Sequence, residues 1–170
     1  MTTMTAAATC DPRWHSYAPE TGGIVVGFDG SPASHSAIQS AAEIAALSGW
    51  TVHVVSVLPP SSTYEFKPAL DESPSEIEDL RVQIRDAAVR DAIGNKDDRS
   101  RWTRQVIIGN AANEIARVAE ELGAHLIVLG GSQRGAVNHP MVSGTTMQVM
   151  RRSSVPVRCV SYDPLHALQS

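Results

Sequence analysis

The chain contains a glycine-bearing loop whose setting is typical of anion-binding sites. The loop reads GGSQRGAVNHPMVSGTT, from Gly130 to Thr146, and it follows the apolar run LIVLG and precedes a helical pattern. Backbone N–H groups at such a strand-to-helix junction can face a phosphate, and the helix dipole favours negative charge there. The residue types therefore predict a phosphate-binding loop, although Pro140 inside it breaks any local helix and indicates an altered loop shape.

Established catalytic signatures are missing from the sequence. It has no GxxxxGK[ST] loop, no GxGxxG after a strand, no HExxH, no GxSxG and no CxxC. The six histidines have no spacing that would place two of them on one helix face as metal ligands. No residue is positioned as a general base, so we expect neither an enzyme nor a metal site.

The composition restricts which binding partners and which cellular compartment we expect for the protein. The formal net charge is −4, and Lys and Arg are dispersed, which argues against nucleic acid or an anionic membrane as a partner. No run reaches the roughly 18 apolar residues that a membrane span needs, and the leader lacks the features of a signal peptide. Two cysteines, Cys10 and Cys159, suggest no disulfide framework. These features predict a cytoplasmic protein.

The chain of 170 residues alternates short β-branched runs with helical patterns. The predicted strands are Ile24–Phe28, Val52–Val57, Trp102–Ile108, Leu126–Gly130 and Val155–Val160, with a helix in each interval. Strict alternation of this kind predicts one α/β domain with a parallel sheet and helices on both faces. We assign residues 23–161 to this domain, residues 1–22 to a flexible N-terminal arm and residues 162–170 to a C-terminal tail.

Sequence patterns predict the ends of the first helix and the buried face of the second. Ser31 and Pro32 are a cap and a first-turn residue for the first helix, and Gly49 is its predicted end. The second helix places Ile77, Leu80, Ile84 and Ala88 on one face, which we predict to be buried, with a charged and solvated face opposite.

Three segments together resemble the universal stress protein family. They are VVGFDGSPASHSAI after the first strand, GNAANEIARVAEELGAHLIVLG through the third helix and fourth strand, and RRSSVPVRCV at the close. The resemblance implies an open five-stranded sheet in the order 3-2-1-4-5, a Rossmann-like fold of the adenine nucleotide alpha hydrolase type. It also implies a role under stress and a homodimer that pairs through Val155–Val160.

The implied strand order places a crevice at the carboxyl ends of strands 1 and 4. Asp29 lies there and has a carboxylate that could accept hydrogen bonds from a ribose or a base; a turn or capping role is the alternative. By similarity to the family, the backbone of Val57 would contact adenine; the alternative is an ordinary core valine. Leu129 would also line the site.

The loop departs from the glycine pattern of the members that bind ATP. That pattern is Gly, two residues, Gly, nine residues, then Gly followed by Ser or Thr. A start at Gly130 puts Gln133 and Ser143 at the second and third glycine positions, with Gly144 after them. A rival register starts at Gly131, makes the second position Arg134 and recovers Gly144 and Thr145 as the closing pair. Both registers lose the second glycine.

Two functional hypotheses follow from the resemblance and its departures. The first is a homodimeric regulatory or structural stress protein with a degenerate nucleotide-binding loop. The alternative is a nucleotide-dependent switch that binds ATP with magnesium and has slow ATPase activity at most. The candidate nucleotide-binding residues are Asp29, Val57, Leu129, Gly130, Gln133, Arg134, Ser143, Gly144 and Thr145.

Overall fold

The structure, a computed structural model, describes residues 22–60, 74–94, 101–131 and 144–162. In these residues the strands and helices alternate along the chain. They are β1 (Ile24–Gly27), α1 (Pro32–Ser48), β2 (Val52–Leu58), α2 (Pro74–Ile93), β3 (Trp102–Ile108), α3 (Ala111–Glu121), β4 (Leu126–Gly131), α4 (Gly144–Arg152) and β5 (Val157–Ser161).

The five strands form one parallel sheet in the order β3-β2-β1-β4-β5, which confirms the predicted fold. The central strand β1 pairs with β2 on one side and with β4 on the other, so that Ile24 lies opposite both Val52 and Leu126. Ile24, Val25 and Val26 are fully buried. A strand covered on both faces reads as a continuous apolar run, as IVVG does.

Helices cover both faces of the sheet, and each face has its own core. On one face, α1 and α2 bury Ile38 and Val89 against the sheet. On the other face, α3 and α4 contribute Ile115 and Val149. Because α1 follows β1 and α4 follows β4, adjacent strands are followed by helices on opposite faces. This arrangement opens a crevice at their carboxyl ends.

The predicted boundaries of α1 are confirmed by its caps. The hydroxyl of Ser31 accepts a hydrogen bond from the Ser34 backbone N–H at 3.2 Å, and Pro32 occupies the first helical turn. Gly49 ends the helix with a φ of 73°, the left-handed conformation that glycine adopts without steric cost.

The prediction for the buried face of α2 was wrong. Leu80 and Ile84 are 51% and 63% exposed, whereas Val89 is fully buried. The inward face includes charged residues, because Asp86 binds the Arg104 guanidinium of β3 at 2.6 Å. This ion pair, together with Val89, orients the helix with its longer apolar stripe toward solvent.

The last strand begins two residues later than predicted, at Val157 instead of Val155. The Val155 N–H donates to the hydroxyl of Ser153 at 3.1 Å, so this residue belongs to a turn. The carbonyl of Pro156 accepts a bond from Ile127 at 2.9 Å, but proline has no N–H to donate. Smaller differences of one residue occur at the ends of β1, β2 and β4.

Most of the predicted arm and tail, residues 1–21 and 163–170, lies outside the described residues. The assignment of residues 23–161 to one domain therefore stays a prediction. Within the described ranges, no helix has the length and apolarity required to cross a bilayer.

Candidate ligand-binding crevice

A pocket of about 150 Å³ lies at the carboxyl ends of β1, β2 and β4. We call its apolar lining residues the floor and its polar lining residues the rim. The floor includes Val55, Val57, Ile115 and Leu129. The rim includes Asp29, Ser31, Ser34, Thr145 and Thr146. An apolar floor with a few polar groups around it is the usual composition of a small-molecule site.

Asp29 is held in place by the turn that connects β1 to α1. Its Oδ1 accepts a hydrogen bond from the backbone N–H of Ser31 at 2.9 Å. Partial desolvation raises the pKa of this carboxyl, but hydrogen bonds from Ser31 and Ser34 outweigh it and hold the pKa below its usual range. Asp29 is therefore ionised at neutral pH. It serves as a turn residue and also lines the pocket, and its role toward a ligand stays a prediction.

The buried Ser56 fixes the end of β1 that leads into Asp29. Its hydroxyl donates to the Phe28 carbonyl at 2.6 Å, and the Phe28 N–H donates to the Val55 carbonyl at 2.9 Å. Both bonds tie the chain just before Asp29 to β2. The carboxylate thus stands on a rigid support.

The amino ends of three helices border the pocket. Ser31 caps α1, and Asn110 caps α3 by accepting from the Asn113 N–H at 3.1 Å. Ala111 of α3 and Thr145 of α4 line the pocket itself. Each helix carries a partial positive charge at its amino end, so the three together favour an anionic group at the rim.

Gly130 is required by packing, independently of any ligand. A β-carbon at this position would lie 2.6 Å from the Ala33 carbonyl carbon and 2.8 Å from the Ser34 nitrogen. The backbone of α1 thus passes directly over Gly130. The Thr146 hydroxyl donates to the Gly130 carbonyl at 3.3 Å from the other side. The presence of this glycine is explained without a triphosphate.

The structure brings together part of the predicted site. Asp29, Val57, Leu129, Gly130 and Thr145 all line the pocket. Gly144 is the first residue of α4 and is not among the lining residues. Gln133, Arg134 and Ser143 lie outside the described residues, so the two glycine registers are not distinguished.

Several lining residues were not predicted from the sequence. Ser34, Ile115 and Thr146 are among them. The pattern SPAS held a signal for Ser34, since this residue lies in the first turn of a helix that starts beside Asp29. Ile115 also belongs to the buried face of α3, and its place in the pocket has no separate signal in the sequence.

The described residues contain no cluster of three or more His, Cys, Asp or Glu that could hold a metal ion. Asp29 is the one carboxylate among the described lining residues. Magnesium in nucleotide sites is usually held by one or two carboxylates together with the phosphates. Asp29 is therefore a suitable residue to supply the carboxylate ligand of such a site.

The fold and the crevice define a doubly wound α/β protein with an anion-favouring site at its topological switch point. The chain belongs to the universal stress protein family, whose sequence model matches residues 22–161. A universal stress protein of Mycobacterium tuberculosis strain H37Rv is 27% identical over 156 residues, which cover 84% of this chain and 49% of that protein. The same figures hold for a universal stress protein of Mycobacterium bovis. The chain spans about half the length of the curated relatives it matches.

Solved structures of the family share the fold. The universal stress protein UspA from Lactobacillus plantarum has a TM-score of 0.65 at 23% identity, over 83% of this chain and 98% of that one. A universal stress protein in complex with cAMP has a TM-score of 0.53 at 22% identity, covering 84% and 98%. One from Archaeoglobus fulgidus in complex with dAMP has a TM-score of 0.52 at 22% identity, covering 83% and 98%.

Proposed function

We propose that this chain is a non-catalytic regulatory universal stress protein whose crevice binds an adenine nucleotide. The observation that carries the proposal is the convergence of three helix amino ends on one pocket with an apolar floor. The floor suits a base, and the rim suits a ribose and a phosphate. Two family members of the same fold, solved in complex with cAMP and dAMP, support this class of ligand.

The chemistry of the rim supports the proposal of a regulatory rather than a catalytic role. Asp29 is the one acidic group among the described lining residues, and hydrogen bonds lower its pKa. A carboxylate with a lowered pKa is a weak general base at neutral pH. Hydrolysis would then rest on positioning and a metal ion alone.

The size of the pocket bears on the form of the nucleotide. Its volume of about 150 Å³ is smaller than the roughly 300–1,000 Å³ of pockets that enclose drug-sized ligands. The described walls would enclose one moiety, with the remainder lying over the rim. A monophosphate is the ligand that we propose, and ATP with magnesium, held in part by Asp29, is the alternative.

The test is thermal unfolding of the purified protein with AMP, cAMP, Mg-ATP and GTP, followed by isothermal titration calorimetry. A ligand at about 100 times its Kd stabilises the native state by about 2.7 kcal/mol, or about 5–11 °C in Tm for a chain of this size. We expect a shift with AMP that is lost in Asp29→Ala and kept in the surface control Glu121→Ala. The absence of a shift with every adenine nucleotide would refute the proposal.

The homodimer is a second candidate function, favoured by the exposed surface beside β5. This strand lies at an edge of the sheet, where its outer backbone groups have no neighbouring strand in the described fold. Met147 and Met150 of the adjacent helix α4 are 40% and 39% exposed. An open edge with apolar side chains next to it favours self-association. We propose pairing through the predicted segment Val155–Val160.

The dimer is tested by sedimentation velocity on the full chain. Met150→Lys should shift the protein from dimer to monomer. Leu47→Lys is the matched control, because Leu47 is also an exposed apolar residue, 91% exposed, but belongs to a different helix, α1. A monomeric wild-type protein, or equal behaviour of the two variants, would contradict pairing at this surface.

A further inference from the structure

The guanidinium of Arg85 lies beside Gly30, which stands between the lining residues Asp29 and Ser31 of the crevice. Arg85 belongs to α2 and is half-buried on the charged face that the sequence predicted to be solvated. A β-carbon on Gly30 would lie 3.3 Å from Nη1 of Arg85. Gly30 follows Asp29 directly, so a side chain that starts on a distant helix ends beside the loop that carries Asp29.

Neighbouring arginines form hydrogen bonds or ion pairs with other residues of the protein. Arg81 donates to the Pro59 carbonyl at 2.8 Å. Arg104 and Arg90 both bind Asp86, at 2.6 Å and 3.1 Å. Among the residues that the structure describes, none forms a hydrogen bond or ion pair with the Arg85 guanidinium. With no partner among the described residues, this half-buried cation has hydrogen-bond donors that a ligand can use.

The charges around the pocket favour a specific role for the Arg85 guanidinium. The described residues that line the pocket include the ionised Asp29 and no cationic side chain. A phosphate that approached the rim would meet this negative charge. The helix amino ends offset part of it. The Arg85 guanidinium beside Gly30 adds a full positive charge next to the residue that carries this carboxylate.

We infer that Arg85 binds the phosphate group of the nucleotide in the crevice and so selects phosphorylated ligands over free adenosine. The inference rests on the proposed nucleotide-binding function and adds to it the residue that recognises the anionic part. Arginine is suited to this task because its planar fork of N–H donors matches two phosphate oxygens. Arg85 reaches the site from outside the family loop, from a helix that the glycine pattern does not include.

The experiment compares AMP and adenosine binding by calorimetry in wild type, Arg85→Gln and Arg90→Gln. Arg90→Gln is the matched control, because it removes the same charge from the same helix at an exposed position. We expect Arg85→Gln to weaken AMP binding about tenfold and to leave adenosine binding unchanged. Arg90→Gln should change neither. Arg85→Lys keeps the charge without the fork, so its AMP affinity should lie between those of wild type and Arg85→Gln.

The outcomes separate this inference from the function on which it rests. AMP binding that is equal in wild type and Arg85→Gln would overturn the role of Arg85 and leave the nucleotide proposal standing. Equal losses for AMP and adenosine in Arg85→Gln would overturn the assignment to phosphate. A wild-type protein that binds neither compound would overturn both proposals. Thermal unfolding of each variant without ligand checks that the fold is retained.

Discussion

Replacement of Gly130 by alanine tests whether this glycine serves packing or a ligand. Its backbone φ is not positive, so alanine can adopt the local conformation and the cost is steric. The added carbon would lie 2.6 Å from the carbonyl carbon of Ala33, whereas ordinary contacts begin at 3.4 Å. The difference, 3.4 − 2.6 = 0.8 Å, must be supplied by movement of the α1 backbone.

The loss of stability depends on which atoms the added β-carbon would contact. Overpacking a core usually costs about 1–3 kcal/mol. Because backbone atoms of Ala33 and Ser34 cannot swing away as a flexible side chain can, we expect a loss near the upper end, about 3 kcal/mol. For a chain of this size, that loss lowers the Tm by about 6–12 °C.

The assay is urea unfolding followed by far-UV circular dichroism, with Gly144→Ala as the control. Gly144 begins α4, and a β-carbon there would meet nothing within 4 Å. This control should be neutral or up to about 1 kcal/mol more stable. If Gly130→Ala unfolds within about 0.5 kcal/mol of wild type, the close approach of α1 does not constrain this position and the packing explanation is refuted.

Two further predictions concern charged groups. Asp86→Ala removes a carboxylate bound to Arg104, whose side chain is 16% exposed, and should cost about 1–3 kcal/mol in urea unfolding. Glu121→Ala at an exposed pair should cost less than about 0.5 kcal/mol, and equal costs would contradict the argument. The lowered pKa of Asp29 means that its ionised form stabilises the fold above the unfolded pKa of about 3.9 and that this contribution is lost as the pH falls through the folded pKa. Asp29→Asn should therefore flatten the loss of stability as the pH falls below about 4, and a profile equal to that of wild type would count against it.

The sequence predicted the fold well because local signals and the global pattern agree. The continuous apolar run of β1 requires burial on both faces, and alternation with helices then permits few arrangements. The cap at Ser31 and the left-handed end at Gly49 are short-range features, so they could be predicted from a few residues. Strand order came from the family resemblance and is confirmed.

The orientation of α2 could not be predicted in this way. Its sequence offers two faces, one with Leu80 and Ile84 and one with Val89 and several charges. Hydrophobicity alone favours the first face. The choice depends on Asp86 meeting Arg104, a residue of the following strand, and such a long-range pair has no local signature.

The candidate site was predicted in part for the same reason. Asp29 follows β1, Leu129 lies within β4 and Thr145 lies in the first turn of α4, so their meeting at the switch point depends on topology. Arg85 was missed because a long side chain carries its charge far from its own helix axis. The packing role of Gly130 was also missed, since the sequence cannot show that α1 crosses this residue.

The full burial of β1 between two partner strands has a kinetic consequence for the crevice. Amides of Ile24, Val25 and Val26 should exchange with deuterium only when the whole domain unfolds. Asp29 stands three residues beyond this segment, whereas Arg85 stands on a helix with exposed side chains on its outer face. One hydrogen-exchange experiment therefore measures two properties. The exchange rates of β1 amides give the global stability, and a change in the exchange rates of α2 amides on addition of a ligand shows that the ligand has bound at the rim.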